Sequence, residues 1–399
     1  MYIRDLSKCC GCGACEQICP KHCITMISDE EGFWYPQIDI DSCIECRKCE
    51  QVCPFLDTKK QGSLKETYAA VYRNEEIRFH SSSGGLFSAI SEVIEEKDGV
   101  IYGAYFSDDF KSVLHGKNSV KKLRTSKYVQ SLMGNTYVEA ENDLKQGKQV
   151  LFTGTPCQIA GLKQYLKVEY DNLLCIDVIC HGVPSPRIWK KYLNAEEERN
   201  NAKTKYVNFR HKKLGWQQFK VNVKNESFEV YDSIEDNPYM NLFLKNYSLR
   251  PSCYQCVIKE NGSFADLTLG DFWGIEKIAS EMNDGRGTSL VIIHTKRGEK
   301  WFEMARKNLN VKKVDYDTAI QFNTPFFKSV TAPKDREAFF EDSRTMSVAE
   351  LAKKYCVRKR TVRERISKSA VGRFLKFWGE QTSANEYGLY LSLIHISEP

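Results

Sequence analysis

Eight cysteines near the start of the chain stand at spacings that can bind iron-sulfur clusters. The run KCCGCGACEQICP contains a complete C-x2-C-x2-C-x3-C-P spacing, and CIECRKCEQVCP repeats it. This spacing is typical of ferredoxins with two 4Fe-4S clusters, in which the cysteine before each proline binds the other cluster. We therefore predict one cluster on Cys9, Cys12, Cys15 and Cys53, and a second on Cys43, Cys46, Cys49 and Cys19.

Two further cysteines of this region, Cys10 and Cys23, do not fit the spacing, and we interpret both as small buried hydrophobic residues. Zinc is a weaker interpretation of the spaced cysteines, because structural zinc sites normally use C-x2-C pairs. Disulfides are disfavoured because the opening residues MYIRDLSKCC do not form a secretory signal. No apolar run approaches the roughly 20 residues of a membrane span. We therefore expect a cytoplasmic protein with reduced cysteines, as in an anaerobe.

Four cysteines beyond residue 150 could bind a third cluster. Cys157 lies at a predicted helix start in VLFTGTPCQIAGL, where the helix dipole would lower its pKa. Cys180 ends the apolar strand in LLCIDVICHG, and the carboxyl ends of strands line the ligand crevice of open α/β sheets. Cys175 has the opposite parity on that strand, so we expect it in the core. The C-x2-C pair at Cys253 and Cys256 is by itself equally half a zinc site or a redox pair. Four thiolates are the number that a cubane needs, so we predict a third 4Fe-4S cluster on Cys157, Cys180, Cys253 and Cys256.

Two loops carry residues that could bind an organic cofactor. HSSSGGLFSAI places Ser81 to Gly85 at a predicted helix start, where free N–H groups favour a phosphate or another anion, and an ordinary N-cap is an equal alternative. LRTSKYVQSLMG contains Lys127 beside a predicted helix. This stretch is either a solvated loop or a flavin-binding loop. If a flavin is bound, Lys127 would supply positive charge that stabilises the reduced ring. His181 is a candidate proton donor, although a hydrogen bond to the backbone is the commoner role of such a histidine.

Alternating strand and helix patterns must position these residues. From residue 66 the sequence predicts strands at YAAVYR, GVIYGAYF, KQVLFTG and NLLCIDVIC, with helices between them. KYVNFRHKK and QQFKVNVKNESFEVYD then alternate polar and apolar residues, which predicts a smaller antiparallel insertion. We therefore predict an α/β (α+β) core with a mixed sheet, preceded by a small ferredoxin-like dicluster domain.

Charge and composition describe an ordinary globular chain with a basic helical tail. The 399 residues are 42% hydrophobic and 28% charged, with a formal net charge of +6. The segment 353–376 holds ten Lys and Arg residues against one acid, so the positive charge is a property of the tail alone. SVAELAKKYCVRKRTVRERI resembles a helix-turn-helix, but its turn lacks a glycine. We therefore do not expect nucleic acid binding and favour an amphipathic helix that contacts a partner or an anionic surface.

Several of these motifs resemble a known family. FHSSSGGLFSAI, TSKYVQS, LFTGTPCQIAGLK, CHGVPSPRIWKKYL, CYQCVIK and ADLTLGDFWG together look like the coenzyme F420 hydrogenase/dehydrogenase beta-subunit family, here preceded by a dicluster ferredoxin module. The resemblance implies a core that binds FAD and an iron-sulfur cluster and exchanges a hydride with coenzyme F420 or another organic substrate. The cofactor-binding residues predicted with it are Ser82, Ser83, Gly84, Gly85, Ser126, Lys127, Tyr128, Gln130, Thr153, Gly154 and Thr155, and the predicted catalytic residues are Lys127 and His181.

We predict five segments along the chain, of which the second and third follow this resemblance. They are a dicluster ferredoxin-type domain at 1–58, the N-terminal and C-terminal domains of the beta-subunit family at 66–145 and 147–325, a basic helical tail at 335–388, and a segment at 389–399 that resembles translated sequencing adapter. Two functions stay open. The first is a flavin-dependent oxidoreductase that takes electrons from a ferredoxin or a redox partner subunit and acts on a small organic substrate. The second is an electron-transfer subunit without its own substrate, which docks to a partner enzyme.

Overall fold

From residue 66 to residue 200 strands and helices largely alternate, as the sequence pattern predicts. The computed structural model describes residues 5–56 and 64–356, so the polar segment at 57–63 and the predicted tail beyond residue 356 lie outside the described residues. The strands are β1 Ile24–Ser28, β2 Trp34–Ile38, β3 Glu66–Tyr72, β4 Val100–Phe106, β5 Val113–Lys117, β6 Ser131–Leu132, β7 Val150–Gly154, β8 Leu173–Val178, β9 Tyr206–His211, β10 Lys220–Lys224, β11 Glu229–Asp232, β12 Leu267–Asp271, β13 Ser289–Ile293 and β14 Leu309–Val314.

Most helices are short. They are α1 Ala14–Gln17, α2 Lys48–Gln51, α3 Glu75–Phe79, α4 Leu86–Glu95, α5 Val120–Leu123, α6 Thr136–Lys145, α7 Pro156–Leu166, α8 Pro186–Asn200, α9 Pro238–Leu244, α10 Val257–Asn261, α11 Ile275–Ile278, α12 Lys296–Ala305, α13 Tyr316–Ile320, α14 Arg336–Asp342 and α15 Val348–Tyr355. Short 3-10 helices lie at Leu6–Lys8, Pro251–Gln255, Ser280–Met282, Arg306–Asn308 and Thr324–Phe326. None of the described helices is long and apolar enough to span a membrane.

A nine-stranded mixed sheet forms the centre of the fold, with the order β14-β3-β13-β12-β8-β7-β4-β5-β6. The central strands β12, β8, β7 and β4 are parallel neighbours, whereas β14, β3 and β13 pair antiparallel. The predicted mixed α/β core is therefore confirmed. Because β7 and β8 are adjacent and parallel, the segments that follow them leave the same edge of the sheet. Cys157, at the start of α7, and Cys180, after β8, belong to these segments.

Helices cover both faces of this sheet. Leu151 and Leu174 pack against α4 and α12 on one face, whereas Phe152 and Cys175 pack against α6 and α7 on the other. Since alternate residues of a strand point to opposite faces, the apolar runs of β7 and β8 are buried on both sides. Cys175 is fully buried, as its parity predicts.

Two smaller sheets accompany the large one. The hairpin β1–β2 is antiparallel and follows the first cysteine run, and β11-β10-β9 form the antiparallel three-stranded sheet that the alternating sequence predicts. Cys12, Ala14 and Val52 of the cysteine-rich region pack into the same apolar cluster as α6 and α7. This packing sets the predicted cluster ligands directly beside the α/β core.

Candidate functional site

The first predicted ligand set is gathered in one buried place. Cys9, Cys12, Cys15 and Cys53 are each less than a tenth exposed. Burial raises the pKa of the Cys15 thiol well above its ordinary value, and the neighbouring thiols of Cys12, Cys9 and Cys53 raise it further. Cys53 comes from the second cysteine run and lies among the cysteines of the first, which is the crossed arrangement that the spacing predicts.

Glycines allow the first run to wrap tightly against the core. Gly11 has a φ of +70°, and a Cβ there would lie 2.5 Å from Gln130 Nε2 and 3.1 Å from the Trp34 carbonyl oxygen. The Gly11 amide donates a hydrogen bond to Cys9 Sγ at 3.4 Å. Only glycine therefore fits at position 11 without a clash.

The second predicted ligand set is nearer the surface. Cys19 is buried, Cys43 and Cys49 are half-buried and Cys46 is exposed. Cys23, which the spacing leaves out, lies with its Sγ 3.4 Å from Cys19 Sγ and also interacts with Cys43. It is buried, as we expected, but it contacts predicted ligands as well as apolar neighbours.

The third predicted ligand set lines a single pocket. Its walls include Cys157, Cys180, Cys253 and Cys256, and its empty volume, including space open to solvent, is about 450 Å³. The Thr155 hydroxyl lies 3.2 Å from Cys157 Sγ, and the Val183 amide donates to Cys253 Sγ at 3.4 Å. Segments far apart in sequence thus bring four thiols around one cavity.

Local structure explains how these four thiols are placed. Thr155 caps α7 with a capping box, which fixes Cys157 in the first turn of the helix. Cys180 follows β8 at the edge of the sheet. Cys253 lies in the 3-10 helix Pro251–Gln255, and the amide of Cys256 donates to Ser329 Oγ at 3.0 Å.

The chemistry of the pocket's donor set fits an iron-sulfur cluster. Within residues 5–56 and 64–356, no three His, Cys, Asp or Glu side chains are grouped closely enough to hold one metal ion. A cubane binds its thiolates at four separate corners, so its ligands stand farther apart than those of a single ion. Four thiols distributed around a pocket, with a hydroxyl and an amide directed at two of the sulfurs, fit a 4Fe-4S cluster.

Cys10 belongs to the same pocket. Its thiol lines the cavity and interacts with the thiols of Cys12 and Cys157. The pKa of Cys157 is lowered to about 7, as we predicted, but the largest cause is the hydrogen bond with Cys10 and not the helix dipole. The interpretation of Cys10 as a small hydrophobic residue is therefore incomplete, because spacing cannot show which thiol faces a distant pocket.

The two loops predicted to bind FAD meet each other. The amide and hydroxyl of Ser126 both donate to Ser82 Oγ, at 2.8 and 3.0 Å. Ser83 Oγ donates to the Thr288 carbonyl, and the Gly84 amide donates to Ser289 Oγ. The N-cap of α4 is Gly85, with a φ of +89° and without a side-chain cap. The serines therefore do not cap this helix.

Lys127 is held by backbone carbonyls. Its ammonium group donates to the carbonyl oxygens of Leu123, Arg124 and Thr125 at 2.9 to 3.1 Å. Burial lowers the pKa of Lys127 to about 7. The side chain thus closes the carboxyl end of α5, and its three donors have partners within the loop.

Aromatic rings connect the loop of Lys127 to the cysteine pocket. Tyr128 stacks on Phe243 with ring centroids 5.1 Å apart, and Phe243 meets His181 edge-on at 5.2 Å. His181 lines the pocket, and its Nε2 lies 2.7 Å from Asn246 Oδ1. Because that oxygen only accepts, the contact assigns the ring proton to Nε2. Burial lowers the pKa of His181, which favours the neutral ring.

The remaining predicted residues lie around these loops. Thr153 Oγ1 donates to the Tyr102 carbonyl, and Gly154 and Thr155 form the turn into α7. Gln130 is buried, and its Nε2 donates to the Cys10 carbonyl at 3.2 Å. Gln130 therefore contacts the cysteine-rich region.

Sequence reasoning missed two cations on and just after β9. Arg210 is buried, forms an ion pair with Asp271 at 2.7 Å and lies 3.4 Å from the Tyr128 hydroxyl. Lys212 Nζ donates to the Ser83 carbonyl at 2.9 Å. The alternation of NFRHKK places both on one face of the strand, and this signal could have identified them.

Sequence reasoning also missed Arg250, which is fully buried beside the first ligand set. Its Nε donates to the Cys9 carbonyl at 2.6 Å and its Nη1 donates to Gln130 Oε1 at 3.1 Å. No sequence signal distinguishes this arginine, because buried arginines are rare and depend on tertiary partners.

Two parts of the chain match known protein families. Residues 8–56 match the 4Fe-4S dicluster domain, and residues 147–318 match the C terminus of the coenzyme F420 hydrogenase/dehydrogenase beta subunit. None of the curated proteins matches the chain. Among solved structures, a chain of the F420-reducing hydrogenase complex from Methanosarcina barkeri is 17% identical with a TM-score of 0.43, covering 69% of this chain and 98% of that one. That likeness is too distant to bear on the site. From the two domain matches, the chain is an iron-sulfur electron-transfer protein that carries a 4Fe-4S dicluster domain and the C-terminal domain of the coenzyme F420 hydrogenase/dehydrogenase beta subunits.

Proposed function

We propose that this protein is a flavin-dependent oxidoreductase that passes electrons between three 4Fe-4S clusters and FAD and exchanges a hydride with an organic substrate, coenzyme F420 being the candidate named by the family. The observation that carries the proposal is the continuity of the site. The pocket of Cys157, Cys180, Cys253 and Cys256 meets Cys10 of the dicluster region on one side and the His181–Phe243–Tyr128 rings on the other.

Exposure suggests where electrons enter. Cys46 of the second ligand set is exposed, the first set is buried, and Cys10 joins the first set to the pocket. Electrons from a ferredoxin or a redox partner subunit would therefore enter near Cys46 and move inward, or leave by the same path in reverse. Cluster potentials respond to burial and to hydrogen bonds at sulfur, which differ among the three sets.

The flavin would lie where the serine loop and the loop of Lys127 meet. When bound, a flavin accepts single electrons from clusters and trades a hydride with an organic substrate. The amides at the uncapped start of α4 suit its phosphates, since Gly85 supplies no side-chain cap. Ser82, Ser126, Tyr128 and the Thr153–Thr155 turn would surround it. Lys127 would supply positive charge near the ring, and His181 would hold a proton at Nε2 beside the pocket.

Metal and flavin analysis tests this proposal. Anaerobically purified protein is expected to contain bound FAD and about twelve iron atoms per chain, as three cubanes require. Cys253→Ser should lose about four of them, whereas Cys175→Ser, a buried thiol outside the pocket, should lose none. Dithionite should bleach the cluster and flavin absorption together.

Two results would contradict the proposal separately. If Cys253→Ser keeps the full iron content, the assignment of a third cluster to this pocket is wrong. If cluster-replete protein contains no flavin and takes up none when FAD is supplied, the oxidoreductase assignment fails.

The second candidate is an electron-transfer subunit that docks to a partner enzyme and has no substrate of its own. One observation favours it: Ser83, Gly84 and Lys127 already have hydrogen-bond partners inside the protein. A flavin-free, cluster-replete preparation that accepts electrons from ferredoxin would support this candidate.

A further inference from the structure

Arg250 is a charged side chain without access to solvent. Its relative exposure is 0%, and all three of its nitrogen positions donate hydrogen bonds: Nε to the Cys9 carbonyl, Nη1 to Gln130 Oε1 and Nη2 to the Trp34 carbonyl at 2.9 Å. The guanidinium carbon also lies 4.0 Å from the centroid of the Tyr35 ring. These acceptors are neutral, so they orient the cation without cancelling its charge.

The charge of Arg250 has no carboxylate partner in the part of the chain that the structure describes. The other buried arginines behave differently: Arg78 pairs with Asp284 and Arg210 pairs with Asp271, both at 2.7 Å. Removing an isolated charge from water is energetically costly, so proteins normally place an opposite charge beside a buried one. The negative charge beside Arg250 must therefore come from another kind of group.

Cysteines of two predicted cluster sites supply the candidate charge. Arg250 Nε donates to the carbonyl of Cys9, a ligand of the first set. The Arg250 carbonyl accepts from the amide of Cys253, and the Arg250 amide donates to the carbonyl of Val183, at 3.0 Å each, and both of these partners line the pocket. Four thiolates around a 4Fe-4S core leave a net negative charge. Arg250 thus stands between two sites that would each be anionic when loaded.

We propose that Arg250 is the shared counter-charge of the first cluster and the pocket cluster and that it raises the reduction potentials of both. Reduction adds one electron, and hence one negative charge, to a cluster. A fixed cation nearby stabilises the reduced form more than the oxidised form, and water cannot screen it where it is fully buried. Arg250 is a positioning residue, and this inference rests on the cluster assignments of the proposed function.

Redox titration of Arg250 variants tests the inference. Anaerobic protein is titrated with dithionite while the reduced clusters are followed by electron paramagnetic resonance, and iron is counted in the same samples. Arg250→Gln should shift the midpoint potentials of the first and pocket clusters downward, while the exposed second cluster stays unchanged. Arg250→Lys keeps the charge and should restore both potentials toward those of the wild type. Arg297→Gln, which removes a partly buried arginine that pairs with Asp266 away from the clusters, is the matched control.

A second pair of variants tests the same inference if Arg250→Gln does not fold. Gln130→Glu places a carboxylate beside Arg250 Nη1 and should lower the same two potentials, whereas Gln130→Ala removes the amide without adding charge and should not. If all clusters are present and Arg250→Gln, or Gln130→Glu in its place, leaves the potentials unchanged, the inference is overturned while the cluster assignment stands. If the wild type lacks the third cluster, both the assignment and this inference fail.

Discussion

Two buried charges, Asp143 and Arg250, differ in the partners that surround them. Asp143 accepts hydrogen bonds from Tyr102 and Lys117 and from Lys148, so its charge is fully matched by cations. Arg250 has neutral acceptors and faces cysteines instead. The matched charge of Asp143 supports the fold, whereas Arg250, placed beside cysteines, is available to balance a charged group bound by them.

Asp143 gives a stability prediction at this scale. Burial raises the pKa of Asp143, but hydrogen bonds from Lys148, Tyr102 and Lys117 outweigh it and lower the pKa to about 2. Its folded pKa lies below its unfolded value of 3.8, so the stabilisation is complete above pH 3.8 and is lost as the pH falls towards 2. Asp143→Asn should reduce the free energy of unfolding by about 1 to 2 kcal/mol.

The measurement is anaerobic urea unfolding at pH 7 and pH 5. The loss in Asp143→Asn should be the same at both values, because both lie above the unfolded pKa. Asp108→Asn, which changes an exposed carboxylate, should have little effect. A loss that halves between pH 7 and pH 5 would show that another group is responsible.

At the scale of elements, strands and helices could be predicted from local sequence patterns, whereas contacts between residues distant in sequence could not. The apolar runs of β7 and β8 predicted two buried strands whose following loops carry Cys157 and Cys180, and the structure places both thiols at one pocket. The side-chain partners of the predicted flavin residues could not be predicted in the same way. Lys127 binds three carbonyls of its own loop, which depends on how α5 ends and not on residue type.

Helix α7 joins the first ligand set to the pocket, and a glycine makes this contact possible. A Cβ on Gly161 would lie 3.0 Å from Cys12 Sγ and 2.8 Å from the Tyr137 hydroxyl. Alanine normally favours a helix over glycine, yet here the methyl group would push against a predicted ligand. Gly161→Ala should therefore lower the iron content per chain and destabilise the protein by about 1 to 3 kcal/mol.

Gly116→Ala is the matched control for this change, because its Cβ would meet only ordinary contacts, the nearest at 3.5 Å. Iron, sulfide and the thermal midpoint are measured for both variants under anaerobic conditions. If Gly161→Ala binds as much iron as Gly116→Ala and melts at the same temperature, α7 does not press on the first ligand set as the geometry indicates.

At the scale of the whole molecule, one compact unit extends beyond residue 335, where we predicted that the tail starts. This unit runs to Tyr355. Arg336 makes a two-pronged ion pair with Glu31 before the hairpin strand β2, and Phe340 meets Phe33 edge-on at 6.2 Å. We predicted that the basic helical tail starts at 335, although its positive charge is concentrated at 353–376. Apolar and ionic contacts of α14 and α15 tie these helices to the rest of the unit, including the cysteine-rich region.

Two truncations distinguish the tail from the compact unit. A chain that ends at residue 356 keeps α14 and α15, so it should retain the iron content and thermal midpoint of the full chain. A chain that ends at residue 335 uncovers Phe33 and leaves Glu31 without Arg336, so it should be less stable. Iron should be lost first from the second cluster, because its predicted ligands Cys19 and Cys43 lie beside the β1–β2 hairpin. Iron analysis and thermal unfolding of both chains decide the matter. Equal iron and equal stability in the two truncated chains would show that α14 and α15 are dispensable and that the basic tail begins at 335 after all.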